Sequence, residues 1–118
     1  MSLRQDCDVI VRESICRVLP DEAVRRALTG KVFPSGKIYL VSVGKAAWTM
    51  AHAAYKALGT RIHDGIVITK HGHSQGPIGQ LTICEAGHPV PDENSFTATQ
   101  AAIDLVTPLG ADDTGLFL

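Results

Sequence analysis

Several features that mark membrane, secreted or nucleic-acid-binding proteins are missing from this sequence of 118 residues. No apolar stretch approaches the ~20 residues that span a bilayer, and Leu3–Ile10 is too charged for the apolar centre of a signal peptide. There is no basic run and no alternation of aromatic and basic residues, and the formal net charge is -1. We therefore expect no membrane partner and no nucleic-acid partner.

Cysteine is scarce, and its spacing is uninformative for metal or disulfide chemistry. The chain has 3 cysteines, Cys7, Cys16 and Cys84, and no Cys-x-x-Cys pair. An odd number without that spacing is typical of reduced thiols rather than of a disulfide framework or a zinc site. We predict a cytoplasmic protein in which the cysteines act as small buried hydrophobic residues.

Strand-like and helix-like segments alternate along the rest of the chain. Helical spacing of apolar residues predicts helices at 5–19 and 22–28, the second capped by Asp21, at 45–58, and after a cap at Ser95. Short buried strands are predicted at 38–43, 65–69, 80–85 and from 115 onward. This alternation predicts an α/β fold with a parallel sheet covered on both faces. Because the last apolar run stops without an exit turn, we interpret residues 1–118 as the N-terminal part of a larger, incomplete domain.

The predicted strand Ile38–Val43 leads directly into an alanine-rich helix, and the connection between them is the strongest site candidate. Ser42 is the one polar residue of the strand, Gly44 permits a sharp turn close to a ligand, and Lys45 begins the helix. Free N–H groups at a helix start favour an anion, so a lysine there indicates an anionic ligand; a solvated lysine is the alternative. The buried face of this helix is predicted to comprise Ala46, Met50, Ala53, Ala54 and Ala57.

Two familiar phosphate motifs do not match this turn. A Walker loop needs glycine where Tyr39 stands and serine or threonine where Ala46 stands. The dinucleotide fingerprint needs glycine in place of Ser42.

Two further segments should reach the same sheet edge, since ligands gather at the carboxyl ends of parallel strands. In the first, Lys70 could neutralise a phosphate or carboxylate, or lie in solvent. In the second, His88 could transfer a proton or simply bond the turn. Glu85, Asp92 and Asn94 could hold sugar-acid hydroxyls or a hydrated magnesium ion, although helix capping is the favoured role for Asp92 and Asn94. His71 and His73 fall short of the usual ligand number, so no metal site built by the protein is predicted.

At these positions the chain resembles the glycerate 2-kinase family, whose members often carry the label hydroxypyruvate reductase. The resemblance lies in three segments, of which the Glu-Ala-Gly-His-Pro-Val-Pro-Asp run is the most specific: 43–51, 65–73 and 85–95. It covers nearly the whole chain and departs from the family at Ser42, where glycine is usual.

The resemblance implies a three-layer α/β/α Rossmann-like fold and transfer of the γ-phosphoryl group of ATP, with Mg2+, to the 2-hydroxyl of D-glycerate. Lys45 matches the family's essential lysine, and His88, Asp92 and Asn94 match its pattern. The family's Ser-Gly-Gly-Gly-Ser loop and second domain lie beyond residue 118, so we expect these residues alone to be inactive. Two alternatives stay open: a nicotinamide-dependent hydroxypyruvate reductase, and a non-enzymatic module that forms a homo-oligomer through the strand edge at Leu116–Leu118.

Overall fold

The computed structural model describes residues 2–118, and within them four strands form one parallel sheet. The strands are β1 (Ile38–Val43), β2 (Ile62–Lys70), β3 (Thr82–Ala86) and β4 (Thr114–Phe117). Their order across the sheet is β3-β2-β1-β4, and every neighbouring pair is parallel. The predicted α/β fold with a parallel sheet is confirmed, and β1 is central with the bounds predicted for it.

Helices cover both faces of the sheet. The helices are α1 (Leu3–Arg17), α2 (Pro20–Leu28), α3 (Ala47–Leu58) and α4 (Glu93–Val106), and all but α1 contribute to this cover. Helices α2 and α3 pack on one face, over a core that includes Leu40 and Val67. Helix α4 packs on the other face, over Val41 and Ile66. Adjacent strand residues point to opposite faces, so the apolar residues of β1 and β2 supply both cores.

The buried face of α3 differs from the predicted one by about one residue. Its fully buried residues are Ala47, Ala51 and Ala54, whereas Ala57 is exposed and Met50 is only half-buried. The helix begins at Ala47, after a turn, and not at Lys45. Alanines occur at so many positions that spacing alone allowed two neighbouring faces, and the packing against the sheet selects one of them.

Several element boundaries also differ from the sequence-based ones. Strand β2 begins at Ile62 rather than at residue 65, with an irregularity in its pairing opposite Ile38 and Tyr39, and β3 lies at Thr82–Ala86 rather than at 80–85. Helix α2 begins at Pro20, whose fixed φ suits a first helical position, so Asp21 is not its cap.

Helix α1 has no buried residue, and its apolar side chains are exposed. The prediction that the cysteines are buried is therefore wrong for Cys7 and Cys16, while Cys84 is half-buried. The three thiols are free, as expected.

Across residues 2–118, no helix has both the length and the apolar character needed to cross a membrane.

Candidate functional site

The carboxyl ends of the three strands β1, β2 and β3 meet at one edge of the sheet. In the pairing register Val43 lies beside Ile68, and Thr69 lies beside Glu85. A cleft of about 230 Å³ opens there, and each of the three predicted segments contributes to its wall. Its lining includes Gly44, Lys70, Gly87, His88, Ser95 and Thr99. The predicted convergence of the three segments is confirmed.

The turn between β1 and α3 has an open, positively charged surface. Gly44 has a φ of 118°, which favours glycine, and a Cβ built there would meet nothing within 4 Å. No side chain caps the first turn of α3, so its free N–H groups are available to an anion. Lys45 is exposed, and its ammonium forms no ion pair with any residue that the structure describes. Glycine, lysine and an uncapped helix start together suit a phosphate or carboxylate.

Ser42 lies beneath this turn and not on its surface. Its side chain is fully buried, and its hydroxyl donates to the carbonyl of Ala47 at 2.8 Å. The polar residue of β1 therefore holds the start of α3 in place. In this arrangement Ser42 supports the turn and has no surface to offer a ligand.

A loop running from His71 to Gly79 covers the turn from the other side. The Glu85 carboxylate accepts hydrogen bonds from the backbone N–H groups of Ser74 and Gly72, which keep the pKa of Glu85 below its usual value. His73 Nδ1 lies 3.3 Å from the carbonyl oxygen of Lys45. The Trp48 indole donates to the carbonyl of Gly76 at 2.8 Å. Sequence reasoning missed this network, although the density of glycines in the loop marked it as irregular.

Asp92 is the cap of α4. The Asp92 carboxylate accepts from the N–H of Ser95 at 3.1 Å, and the hydroxyl oxygen of Ser95, the residue predicted to be the cap, accepts from the N–H of Asp92. The other carboxylate oxygen lies 2.7 Å from Nε2 of His71. The bond with His71, followed by that from the backbone of Gly87, holds the pKa of Asp92 well below its usual range.

Asn94 also has a structural partner, because its amide donates to the carbonyl of Glu85 at 3.2 Å. Asp92 and Asn94 thus join α4 to β3 and to the loop. Among the described residues, the lining of the cleft includes Lys70 and His88 but neither of these two. The capping interpretation is confirmed for Asp92 and wrong for Asn94 and Ser95, which lie inside α4; Asn94 links α4 to β3 beside the cleft.

Lys70 and His88 are the titratable side chains that line the cleft. Gly87 precedes His88 where a Cβ would collide with the carbonyl of Val90, so the close turn requires glycine. The peptide bond between His88 and Pro89 is cis. Below the cleft, the Thr69 hydroxyl is buried and has no hydrogen-bond partner among the described residues.

The described residues do not build a metal site from their own side chains. Within 2–118, no group of three or more His, Cys, Asp or Glu residues is placed to hold an ion. His71 contacts Asp92, and His73 contacts the backbone of Lys45. A magnesium ion bound here would need most of its ligands from phosphate and water oxygens.

A second cleft, of about 300 Å³, lies between α2 and α3 and is away from the strand ends. Arg25 and Glu22 on its wall form an ion pair with each other. It gathers no glycine-rich turn and no uncapped helix start, so the cleft at the strand ends is the better candidate.

The fold and this cleft define an α/β domain whose candidate functional residues collect at the carboxyl edge of a parallel sheet. More particularly, the chain belongs to the family described as domain of unknown function DUF4147, whose model matches residues 6–118.

Comparison with individual proteins gives a consistent result. The chain is 50% identical over 117 residues to a D-glycerate 2-kinase of Thermotoga maritima, covering 99% of this chain and 28% of that protein. It is 42% identical over 80 residues to a protein of Agrobacterium vitis named "Putative hydroxypyruvate reductase", covering 68% of this chain and 18% of that protein. The crystal structure of a Thermotoga maritima glycerate kinase superposes with a TM-score of 0.90 at 47% identity, covering 98% of this chain and 27% of that one.

These comparisons confirm the resemblance to glycerate 2-kinases that the motifs indicated. They also set its extent, because the chain spans about 28% of the length of the D-glycerate 2-kinase that it matches.

Proposed function

We propose that this chain forms the phosphate-binding part of a glycerate 2-kinase, an enzyme that transfers the γ-phosphoryl group of ATP to D-glycerate. The observation that carries the proposal is the position of Lys45, which is exposed beside the uncapped start of α3 and directly follows Gly44 on the wall of the cleft. The 50% identity to a D-glycerate 2-kinase supports the same reaction.

In this proposal each residue of the site acts through charge or position. The Lys45 ammonium and the free N–H groups of α3 stabilise negative charge that develops on the phosphoryl oxygens, which is the main protein contribution to phosphoryl transfer. Lys70 and His88, on the wall of the cleft, hold the carboxylate or hydroxyl groups of D-glycerate. Mg-ATP supplies the phosphoryl group and the divalent cation.

Ser42, Asp92 and Asn94 support this site without lining the cleft. Ser42 fixes the first turn of α3 through the carbonyl of Ala47. Asp92 and Asn94 fix the start of α4 and the end of β3. Their substitution should therefore act by moving Lys45, Lys70 or His88, and not by removing a contact with a ligand.

A reductase function is the second candidate, because two relatives carry that name. A nicotinamide dinucleotide would need its pyrophosphate to approach the strand–turn–helix connection closely. The dinucleotide fingerprint places glycine where this chain has Ser42, whose side chain is buried against α3. This difference favours the kinase.

Calorimetric titration of the chain tests the proposal, with Mg-ATP, D-glycerate and NADH as separate ligands. We expect Mg-ATP to bind, and we expect Lys45→Ala to weaken that binding by ~10-fold or more, as loss of a charged hydrogen bond does. Lys56→Ala, an exposed lysine elsewhere on α3, is the matched control and should bind as the unsubstituted chain does.

Equal affinities for the Lys45→Ala and Lys56→Ala variants would contradict the assignment of Lys45. Binding of NADH without binding of Mg-ATP would favour the reductase. Because the relatives are much longer, we expect no ADP formation from D-glycerate by this chain alone.

A further inference from the structure

The Glu85 carboxylate is hydrogen-bonded to the backbone of the loop that follows β2. One of its oxygens, Oε2, accepts from the N–H of Gly72 at 2.7 Å and from the N–H of Ser74 at 3.2 Å. Gly72 has a φ of 81°, a conformation that a residue with a side chain rarely adopts. The glycine lets the chain turn so that two N–H groups on either side of His73 meet one carboxylate.

His73 lies between the two residues that donate these bonds, and it contacts the turn that carries Lys45. His73 Nδ1 lies 3.3 Å from the carbonyl oxygen of Lys45. A carbonyl can only accept, so the nitrogen that faces it carries the hydrogen. On the other side of the turn, Trp48 in the first turn of α3 donates to the carbonyl of Gly76. The loop therefore contacts the backbone before α3 and the side chain just inside it.

We propose that Glu85 is a positioning residue for Lys45, acting through the loop His71–Gly76. Its carboxylate fixes the backbone around His73, and His73 fixes the carbonyl of Lys45. The importance of Lys45 rests on the function proposed above, whereas the mechanical connection does not. Displacement of a reacting group by ~1 Å can cost ~100-fold in rate, so a residue that never touches the ligand can still matter.

The surroundings of Glu85 agree with this role. His71 directly precedes the first of its N–H partners, Gly72, and the Asp92 carboxylate holds the ring of His71. Asn94 binds the backbone carbonyl of Glu85 itself.

Amide hydrogen exchange of the isolated chain, followed by NMR at neutral pH, tests the connection without any ligand. The informative reporters are the N–H of Gly44, bonded to the carbonyl of Ile68, and the N–H of Ala47, bonded to the carbonyl of Gly44. In Glu85→Gln both should exchange ~10-fold faster or more, since the turn loses its support. Glu13→Gln, on the exposed helix α1, is the matched control and should leave both rates unchanged.

Substitution of His73 tests the next step of the connection. His73→Ala should accelerate exchange at Gly44 and Ala47 as Glu85→Gln does, whereas His73→Asn, which keeps a side-chain N–H donor, should restore most of the protection. If Glu85→Gln changes the resonances of Gly72 and Ser74 but leaves Gly44 and Ala47 unchanged, the proposal is overturned. If Glu85→Gln fails to fold, His73→Ala and His73→Asn provide the test. Unchanged exchange at Gly44 and Ala47 in His73→Ala would then overturn the proposal.

Ligand binding separates this proposal from the proposed function. Weaker Mg-ATP binding in both Lys45→Ala and Glu85→Gln supports the positioning role. Weaker binding in Lys45→Ala alone supports the function and overturns the positioning role. Faster exchange in Glu85→Gln with no Mg-ATP binding by the unsubstituted chain supports the mechanical connection and contradicts the nucleotide site.

Discussion

Three carboxylates at the ends of strands and turns each hold backbone N–H groups in place. Glu85 binds the loop after β2, Asp92 caps α4, and Asp113 accepts from the N–H groups of Gly110 and Lys37. The pKa of each of the three is lowered, for Asp92 chiefly by its bond with His71 and for Glu85 and Asp113 chiefly by these backbone bonds, which favour the charged form. Glu85 and Asp92 thus connect segments beside the cleft, whereas Asp113 joins the segments that lead into β1 and β4.

The lowered pKa values predict the direction of acid destabilisation. The unfolded chain takes up protons near the ordinary values of 4.5 for Glu85 and 3.8 for Asp92 and Asp113, while the folded chain resists protonation until lower pH. The unfolded state therefore binds more protons in that range, and the free energy of unfolding should fall as pH drops below about 4.5.

Urea unfolding from pH 7 to pH 3 measures this effect in Asp92→Asn. The variant should be less stable than the unsubstituted chain at pH 7, and it should lose less stability on acidification. Asp8→Asn, on the exposed helix α1, should follow the unsubstituted chain. A curve for Asp92→Asn that runs parallel to that of the unsubstituted chain would show that Asp92 does not contribute to the acid sensitivity.

At the scale of single elements, helix α3 shows where sequence reasoning succeeds and where it stops. The strand β1, the glycine turn and an alanine-rich helix follow from apolar runs and the position of Gly44. The sequence does not determine which side of α3 packs against the sheet, because the alanines fit two faces: 46, 47, 51, 53, 54 and 57. Which face is buried depends on where the helix begins, and that is set by the turn and by the Ser42 bond to Ala47.

Two leucine substitutions distinguish the faces of α3. Ala51 is fully buried against the sheet, so Ala51→Leu should overpack the core and lower the free energy of unfolding by ~1–3 kcal/mol. Ala57 is exposed, and Ala57→Leu should stay within ~0.5 kcal/mol of the unsubstituted chain. Denaturant unfolding measures both variants. A larger loss of unfolding free energy in Ala57→Leu than in Ala51→Leu would support the buried face predicted from spacing.

The loop contacts of the site could not be predicted from the sequence for a different reason. Glu85 and Gly72 are 13 residues apart, and His73 and Lys45 are 28 apart. No periodicity connects them, and their meeting depends on the path of a loop whose turns are set by glycines such as Gly72 and Gly76. Topology placed the three segments at one edge; loop conformation decided which side chains face the cleft.

At the scale of the whole molecule, the parallel sheet explains why the site lies where it does. Every strand has its carboxyl end on the same side, so the segments that follow β1, β2 and β3 meet although they are distant in sequence. Self-association through the edge at β4, where Phe117 is largely exposed, stays a prediction. The exposed apolar side chains of α1 are a second surface at which association would bury area.

The most direct test of the central claim is NMR mapping of Mg-ATP on the folded chain. The account predicts that the largest amide shifts cluster at the turn 44–46 and at the first turn of α3 around Trp48. It predicts that the same Mg-ATP concentration gives much smaller shifts at this cluster in Lys45→Ala. Shifts centred on the other cleft, around Arg25 and His52, or shifts that persist unchanged in Lys45→Ala, would contradict the assignment of the phosphate site to the turn after β1.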